Sequence, residues 1–213
     1  MENGEEVKVR ILAAAREEFY KFGFTRVTVD EIASKLGMSK KTIYKCFTSK
    51  DEILKEITRA TLEEMAVCCR DIVREEGIDF VDKLKKMMTM VAVQYSKLGR
   101  PLVDDLQKNA PHIWKEIADF RTQHINNEFG SLISEGIAKG MLRSDVDQRL
   151  ILMIYGNAIQ TIINPEMLVN LPYSAAQVYE TIIKVIFEGI LTDEAKPKYL
   201  SHHPLLSVAQ QRI

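Results

Sequence analysis

Little in this 213-residue sequence supports an enzyme. It contains no phosphate-cradling glycine loop, no HExxH zinc motif, no serine elbow and no CxxC pair, so we predict neither catalysis nor a cofactor. The three cysteines, Cys46, Cys68 and Cys69, are odd in number and lack metal-type spacing, so we interpret them as reduced, with redox sensing by Cys46 as the alternative. His202 and His203 are adjacent rather than spaced along one helical face, which argues against a metal site.

Long apolar runs and strand signals are also missing. No stretch approaches about 18 uninterrupted apolar residues, and the opening residues MENGEEVKVR lack the apolar segment of a signal peptide. We therefore expect a cytoplasmic protein with no membrane partner. Alternation of apolar and polar residues and hairpin dipeptides are scarce, whereas helical periods recur throughout, which predicts a nearly all-α fold.

The stretch from Thr28 to Lys50, TVDEIASKLGMSKKTIYKCFTSK, has the clearest helix boundaries of the chain. The Thr28 hydroxyl can cap a helix while Glu31, three positions later, returns the hydrogen bond as a capping box. Gly37 can adopt the left-handed conformation that ends this helix, and Ser39 can cap the next. The pattern predicts two short helices joined by a tight turn.

The second of these helices carries few apolar residues. Ile43 and Phe47, four positions apart, should face inward. The side chains left outside are Lys40, Lys41, Thr42, Tyr44 and Lys45. Two short helices with a glycine turn, followed by clustered lysines and a tyrosine, are typical of a helix-turn-helix that binds double-stranded DNA.

The charge distribution favours the same interpretation. Residues 21–50 hold seven basic and two acidic side chains, a net charge of +5, although the whole chain has a net charge of −1. The basic residues are Lys21, Arg26, Lys35, Lys40, Lys41, Lys45 and Lys50. A local excess of positive charge suits phosphate contacts. The alternative is an ordinary solvated helical face.

Helix signals continue through the rest of the chain. Capping boxes at Ser49/Glu52 and Ser174/Gln177 each mark the start of a long helix. The predicted helices cover about 6–22, 29–36, 40–46, 50–74, a helix capped by Asp79 and ending near 98, 102–108, 112–139, a helix capped by Asp145 or Asp147 and ending near 164, and one from 174 to about 191. We predict a DNA-binding domain over 1–50, a connecting helix over about 50–74, a regulatory and dimerisation domain over 75–192, and a tail over 193–213.

The N-terminal quarter resembles the DNA-binding domain of the tetracycline-repressor (TetR) family of bacterial transcription regulators. The matching positions are the first helix from about Glu6 to Phe22, Gly23, Phe24, Thr28, Ile32, Ala33, Leu36–Ser39, Thr42–Tyr44, Phe47 and Ser49–Leu54. The resemblance implies an N-terminal three-helix helix-turn-helix domain followed by a C-terminal helical regulatory and dimerisation domain.

The resemblance also implies roles for individual residues. Lys40–Cys46 would be the recognition helix in the major groove. Positions that match phosphate contacts are Thr28, Thr42, Tyr44 and Lys50, and bases would be read mainly by Lys40, Lys41, Tyr44 and Lys45. With the cap residue Ser39, the predicted DNA-binding set is Thr28, Ser39, Lys40, Lys41, Thr42, Tyr44, Lys45 and Lys50.

The function implied is that of a repressor that binds a palindromic, twofold operator as a homodimer. A small apolar or amphipathic ligand in the C-terminal domain would release it. The alternative is a ligand-independent or partner-gated DNA-binding protein of the same fold, such as a nucleoid-associated protein.

The two long helices before the tail are apolar over more than one face. By resemblance they form a four-helix bundle with a second subunit, and the alternative is the core of a monomer. The predicted interface comprises Ile151, Tyr155, Ile159, Ile162, Val178, Ile182, Val185, Ile186 and Gly189.

Methionine and aromatic side chains concentrate in the regulatory half. They can line an adaptable apolar pocket, although such stripes are also ordinary packing. The resemblance favours a sensor pocket, for which we predict Met87, Met88, Val91, Tyr95, Trp114, Ile117, His124, Met153 and Tyr155.

Overall fold

A computed structural model describes residues 4–97, 100–164, 167–168 and 170–201. Eleven α-helices and one π-helical segment lie within them, and the only strand-like pairing there is an isolated antiparallel bridge between Leu142 and Leu191. The predicted all-α fold is confirmed. In chain order the helices are α1 (Gly4–Phe22), α2 (Val29–Leu36), α3 (Lys40–Cys46), α4 (Lys50–Arg74), α5 (Phe80–Lys97), α6 (Arg100–Asn109), α7 (Pro111–His124), the π segment (Ile125–Phe129), α8 (Gly130–Ala138), α9 (Gln148–Ile162), α10 (Ala175–Ile190) and α11 (Lys196–Ser201).

Two of the three predicted capping boxes are complete. Both hydrogen bonds of the box form at the start of α2 and at the start of α10. At α4 only one half forms, because Ser49 Oγ accepts from the Glu52 amide at 3.0 Å while the Glu52 carboxylate turns to Thr48. Thr48 offers both its amide and its hydroxyl to that carboxylate, whereas Ser49 could return only an amide.

In the regulatory half two predicted helices differ in extent from the observed ones, and the structure decides which of the two predicted aspartates caps α9. Helix α6 begins at Arg100, so Pro101 lies in its first turn, where an amide hydrogen has no intrahelical partner to lose. Asp147 caps α9 by accepting from two backbone amides, whereas Asp145 pairs with Arg143 at 2.6 Å. The predicted helix over 112–139 is interrupted by the π segment.

The π segment changes which residues face inward. It widens the helix by one residue per turn, and within it Ile125 and Phe129 are both buried. Gly130 directly after it lies close to α9, since a Cβ there would stand 3.4 Å from Leu152 Cδ1. The sequence predicted a single continuous helix here, because the spacing of apolar residues does not reveal the extra residue of a π turn.

One hydrophobic cluster, here called the first cluster, surrounds the helix-turn-helix. Its buried members are Ile11, Ala14, Ala15, Phe19, Phe24, Val27, Val29, Ile32, Ala33, Ile43, Phe47, Ile53, Leu54, Ile57, Leu102, Leu106, Ala110 and Ile113. The last four belong to α6 and the start of α7. Residues of the regulatory half therefore complete the core of the N-terminal domain.

The second cluster is built from the end of α4, α5, the π segment, α8, α9 and α10. Its buried members include Cys69, Phe80, Leu84, Met88, Leu132, Tyr155, Tyr179, Phe187, Ala195 and Tyr199. Ala195 and Tyr199 fall in the predicted tail, and the Tyr199 side chain is only 1% exposed. Ala195 and Tyr199 therefore pack with the regulatory domain, which corrects the tail boundary; residues 202–213, with His202 and His203, lie outside the described residues.

Polar contacts also join the two halves. The amide and hydroxyl of Thr25, in the loop between α1 and α2, both donate to the Asp105 carboxylate on α6. Asn109 donates to the same carboxylate at 2.7 Å. The loop beside α2 is thus tied to a helix of the regulatory half.

Candidate DNA interface and effector cavity

The turn between α2 and α3 is fixed by backbone geometry. Gly37 has φ of +63°, and the Met38 amide donates to the Ala33 carbonyl at 3.0 Å, so α2 ends in a left-handed turn. Ile32 on α2 and Ile43 on α3 are fully buried. These contacts hold α3 across α2 in one orientation.

One face of α3 is open to solvent. Lys41, Tyr44 and Lys45 are all exposed, and the Tyr44 side chain is 45% exposed. None of the three makes a hydrogen bond or ion pair with any residue that the structure describes. An exposed face of two cations and a phenol on a short, firmly packed helix can enter a major groove.

The predicted hydroxyl contacts lie at the starts of α2 and α3. Thr28 Oγ1 accepts from the Glu31 amide at 3.2 Å and donates to the Glu31 carboxylate at 2.8 Å. Hydrogen bonds from the Thr28 amide and then from its hydroxyl lower the pKa of Glu31. Ser39 Oγ accepts from the Thr42 amide at 3.1 Å, and the Ser39 and Thr42 hydroxyls are 2.9 Å apart. These groups therefore cap helices in the free protein.

Lys50 is placed differently from the prediction. Its ammonium group donates to the carbonyls of Phe24 at 2.8 Å, Val27 at 2.9 Å and Thr25 at 3.3 Å, and stands 4.4 Å from the Phe24 ring centroid. Burial lowers the pKa of Lys50, and the charges of Asp105 and Glu31 act against that effect. An ammonium has three donors, so this arrangement leaves none for a phosphate.

Other lysines of the basic segment are also held by partners. Lys35 pairs with Glu17 at 2.8 Å and Glu18 at 2.6 Å on α1, and Lys40 pairs with Asp30 at 2.8 Å across the helix-turn-helix. These pairs are exposed, so DNA phosphates can compete for both cations. Lys41 and Lys45 can bind phosphates without first leaving an acidic partner among the described residues.

A cavity of about 150 Å³ separates the two clusters. An engineered apolar cavity of about that size binds benzene. Seven elements line this cavity: α1, α4, α5, α6, α7, the π segment and α9. The lining comprises Tyr20, Leu54, Ile57, Thr58, Thr61, Leu62, Met65, Cys69, Met87, Val91, Gln94, Tyr95, Leu102, Leu106, Ile117, Phe120, Arg121, His124, Ile125, Glu128, Phe129, Tyr155 and Ile159.

Six of the nine residues predicted for a pocket line this cavity, namely Met87, Val91, Tyr95, Ile117, His124 and Tyr155. Three do not. Met88 packs beside Tyr199, whose hydroxyl lies 3.9 Å from the Met88 sulfur. Trp114 packs against the first cluster, and Met153 is 59% exposed on the outer side of α9.

The arginine, histidine and glutamate of the cavity wall form a row on α7 and the π segment. His124 Nδ1 lies 2.7 Å from the Glu128 carboxylate, and the His124 ring lies against Phe120, tilted by 37° with 4.0 Å between centroids. Arg121 lies over the Tyr95 ring at 5.7 Å from its centroid. Burial, and then the charge of Glu128, raises the pKa of the Cys69 thiol to about 12, which disfavours the reactive thiolate there.

The positions of Arg121 and Glu128 in the cavity wall could have been predicted from the sequence. Ile117, Arg121, His124 and Glu128 are spaced by four, three and four positions, so they share one helical face. Once Ile117 and His124 were assigned to a pocket, the same periodicity indicated the other two. Tyr20 reaches the cavity from α1 through packing across the domain joint, for which no local pattern exists.

The predicted dimer residues divide between two sides of α9 and α10. Buried inside the chain are Ile151, Tyr155, Ile159, Val178 and Ile182, so the structure corrects their assignment to a surface. Ile162 and Ile186 are half-buried, whereas Gly189 is exposed and Val185 is 69% exposed. The outer face also carries residues that the prediction omitted: Leu150, Met153 and Ile154, which are 54%, 59% and 60% exposed. The sequence showed two apolar faces without indicating which one the chain itself covers.

Two further properties concern the described residues alone. No helix among them is long and apolar enough to cross a membrane. No three or more His, Cys, Asp or Glu side chains in that part of the chain are grouped so that they could hold a metal ion.

Residues 11–57 match the family model described as bacterial regulatory proteins, tetR family. The chain is 27% identical over 188 residues to the uncharacterised helix-turn-helix-type transcriptional regulator YvaF of Bacillus subtilis, an alignment covering 87% of this chain and 96% of YvaF. It is 26% identical over 147 residues to the helix-turn-helix-type transcriptional repressor KstR2 of Rhodococcus jostii, which covers 67% of this chain and 71% of KstR2.

A solved structure shares the fold over most of the chain. The fatty acid degradation regulator FadR from Bacillus halodurans superposes with a TM-score of 0.64 at 20% identity, covering 85% of this chain and 95% of FadR. The likeness extends beyond the helix-turn-helix to the helices that enclose the cavity.

Proposed function

Because the chain belongs to the tetR family of bacterial regulatory proteins, we propose that it represses transcription by binding a twofold operator as a homodimer, and that a small ligand releases it. DNA binding is supported mainly by the solvent-exposed face of α3. Lys41, Tyr44 and Lys45 are exposed there, on a helix whose packing is fixed. The hydroxyls of Ser39 and Thr42 at the start of α3 suit phosphates, whereas the Thr28 hydroxyl would have to release the Glu31 carboxylate first. Repression is supported by the name of the related repressor KstR2.

Dimerisation is supported by the outer face of α9 and α10. Four apolar side chains, Leu150, Met153, Ile154 and Val185, are each more than half exposed there. The two helices pack against each other, and exposed apolar side chains on neighbouring helices are a mark of an interface; a self-complementary interface gives a twofold dimer. In such a dimer the two α3 helices would occupy half-sites about 34–36 Å apart.

Release by a ligand is supported by the position of the cavity. Tyr20, Leu102 and Leu106 bring the wall of the cavity to the first cluster, while Tyr155 and Ile159 belong to α9 beside the proposed interface. A ligand that fits one arrangement of these helices better than the other would change the spacing of the α3 helices in the dimer. The effect is limited by the ratio of ligand affinities for the two arrangements. The B. halodurans relative is described as a regulator of fatty acid degradation, and the mostly apolar lining suits an effector with a hydrocarbon body.

Selection of bound sequences from random duplex DNA tests the proposal. We expect a twofold sequence to be enriched, and we expect Lys41→Ala with Tyr44→Ala to weaken binding to it by about 2 kcal/mol or more. Lys97→Ala is the matched control, because Lys97 is an exposed lysine of α5 in the regulatory half.

Two results would contradict the proposal. Enrichment of no sequence would favour a general DNA-packaging protein of the same fold. Unchanged affinity in the double variant would remove α3 as the reading element.

A further inference from the structure

Arg121 is the one cation of the cavity wall that has no acidic partner among the described residues. It lies on α7, partly buried, and its guanidinium faces the ring of Tyr95, itself buried in the second cluster. Contact with an aromatic face stabilises a cation, but it does not neutralise the charge. Arginine cannot release its proton in a protein, so the charge persists whatever the surroundings.

The acidic groups near Arg121 in sequence are all held by other residues. Glu116 pairs with Arg59 on α4 at 3.1 Å. Asp119 pairs with Lys115 at 2.5 Å. Glu128 lies 2.7 Å from His124 Nδ1, and that pair is 12% and 17% exposed. A partly buried guanidinium beside an apolar space, with its neighbouring carboxylates engaged elsewhere, is arranged to receive an anion.

The rest of the wall indicates the shape of such a ligand. Leu54, Ile57, Leu102 and Leu106 belong to the first cluster, whereas Tyr95 beside Arg121 belongs to the second. A molecule held by Arg121 and extending over these side chains would span the joint between the domains. Its body must be apolar, because few polar groups line that path.

We propose that the effector is an amphipathic acid, with its carboxylate bound by Arg121 and its apolar body lying between the two clusters. The proposal rests on the ligand-dependent release proposed above. A carboxylate can receive two parallel hydrogen bonds from the guanidinium. The competing possibility is a cationic ligand drawn to Glu128, and charge-matched probes separate the two.

Calorimetric titration of the full-length protein provides the test. Decanoate is compared with decanol and decylammonium, and 4-phenylbutyrate with 4-phenylbutanol, so that a chain and a ring are each tried as the body. We expect at least one acid to bind about ten- to a hundredfold more tightly than its alcohol, the range that follows from a charged hydrogen-bonded contact. In Arg121→Gln that preference should disappear while the alcohol binds as before, which shows that the cavity is intact. Arg74→Gln, at the exposed end of α4, should keep the preference.

Several outcomes overturn the proposal. They are equal affinity for acid and alcohol with both bodies, no binding of either acid, or tightest binding of decylammonium. The affinities of the acids, alcohols and amine for the unmodified protein test the proposal even if Arg121→Gln does not fold. Operator release is measured in parallel: if the alcohols release DNA as well as the acids do, ligand-dependent release stands and only the role of Arg121 fails, whereas absence of twofold DNA binding defeats the proposed function whatever the calorimetry gives.

Discussion

The DNA-facing region and the cavity region differ in how their side chains are held. Around α2 and α3, the polar groups that cap the helices are bonded to partners three residues away, as in the Thr28–Glu31 and Ser39–Thr42 pairs. The cavity instead depends on packing among seven elements that extend from α1 to α9 along the chain. A surface with local support can keep its shape while the helices behind it rearrange. A cavity without it can change with a single substitution or a bound ligand.

A first test asks whether the outer face of the regulatory region is an interface at all. Val185→Glu should leave the subunit folded, because the side chain is 69% exposed within the chain. If that face is covered by a second subunit, each buried and unpaired carboxylate costs about 3–5 kcal/mol. Light scattering at micromolar concentration should then give a monomer and operator binding should fall. Val93→Glu, on α5 and 47% exposed, should remain dimeric; a dimeric Val185→Glu protein would place the interface elsewhere.

A second test asks where the DNA-facing region ends. Ile113 lies on α7, yet it is fully buried in the first cluster. Ile113→Ala should lower the free energy of unfolding by about 2–5 kcal/mol, as expected for a large-to-small change in a core. Urea unfolding measures this, and Val9→Ala, 61% exposed on α1, should change the value by less than about 0.5 kcal/mol. An effect of Ile113→Ala as small as that of the control would mean that the first cluster does not depend on α7.

The same contrast explains which features could be predicted from the sequence. Thr28, Gly37 and Ser39 act on neighbours, and the structure confirms their predicted caps and turn. The resemblance assigned Lys50 to a phosphate, and nothing nearby in the sequence indicates that three carbonyls of residues 24–27 accept hydrogen bonds from its ammonium group. The membership of Ile113 in the first cluster required knowing that α6 and α7 fold back onto α1 and α4.

The spacing of apolar residues likewise predicts that a helix face is buried, but it does not identify which part of the protein, or which partner, buries it. Tyr155 and Ile159 turn inward to the cavity, and Ile154 turns outward on the same helix. Arg121 was missed for a different reason. The pocket was predicted mainly from methionine and aromatic residues, whereas Arg121 could be assigned to it only from its helical spacing to Ile117 and His124.

A third test concerns the connection between the two regions. Asp105→Ala removes the acceptor of both Thr25 donors and should cost about 1 kcal/mol of unfolding free energy. It should also weaken the effect of a releasing ligand on DNA affinity, because the loop beside α2 is no longer tied to α6. Asp104→Ala, at the adjacent position of α6, serves as the control. Equal ligand response in both variants would show that the signal bypasses this contact.

The stabilisation that Asp105 gives to the folded protein depends on pH in a definite direction. Burial acts to raise the pKa of Asp105, but hydrogen bonds from Thr25 and then Asn109 outweigh it and hold the pKa below its ordinary 3.8. Because the folded state has the lower pKa, the stabilisation is complete above the ordinary value and is lost as the pH falls through the folded one. The difference in unfolding free energy between the natural protein and Asp105→Ala should be constant from about pH 7 to about pH 5 and shrink below about pH 4. A difference that fades near neutral pH would indicate another titrating group.

The smallest effect separates two lysines of the DNA-facing region by their surroundings. Lys41 is exposed without a protein partner among the described residues, whereas Lys50 donates to three carbonyls. Lys41→Ala should therefore reduce the slope of log affinity against log salt concentration by about one and leave thermal unfolding unchanged. Lys50→Ala should do the reverse, lowering the unfolding temperature while the salt slope is kept, since a lysine that contacts no phosphate releases no counterion there. Fluorescence anisotropy over a salt series measures the slopes. If Lys50→Ala loses a unit of slope, its ammonium must leave the carbonyls on binding DNA, and the loop at residues 24–27 would then rearrange in the complex.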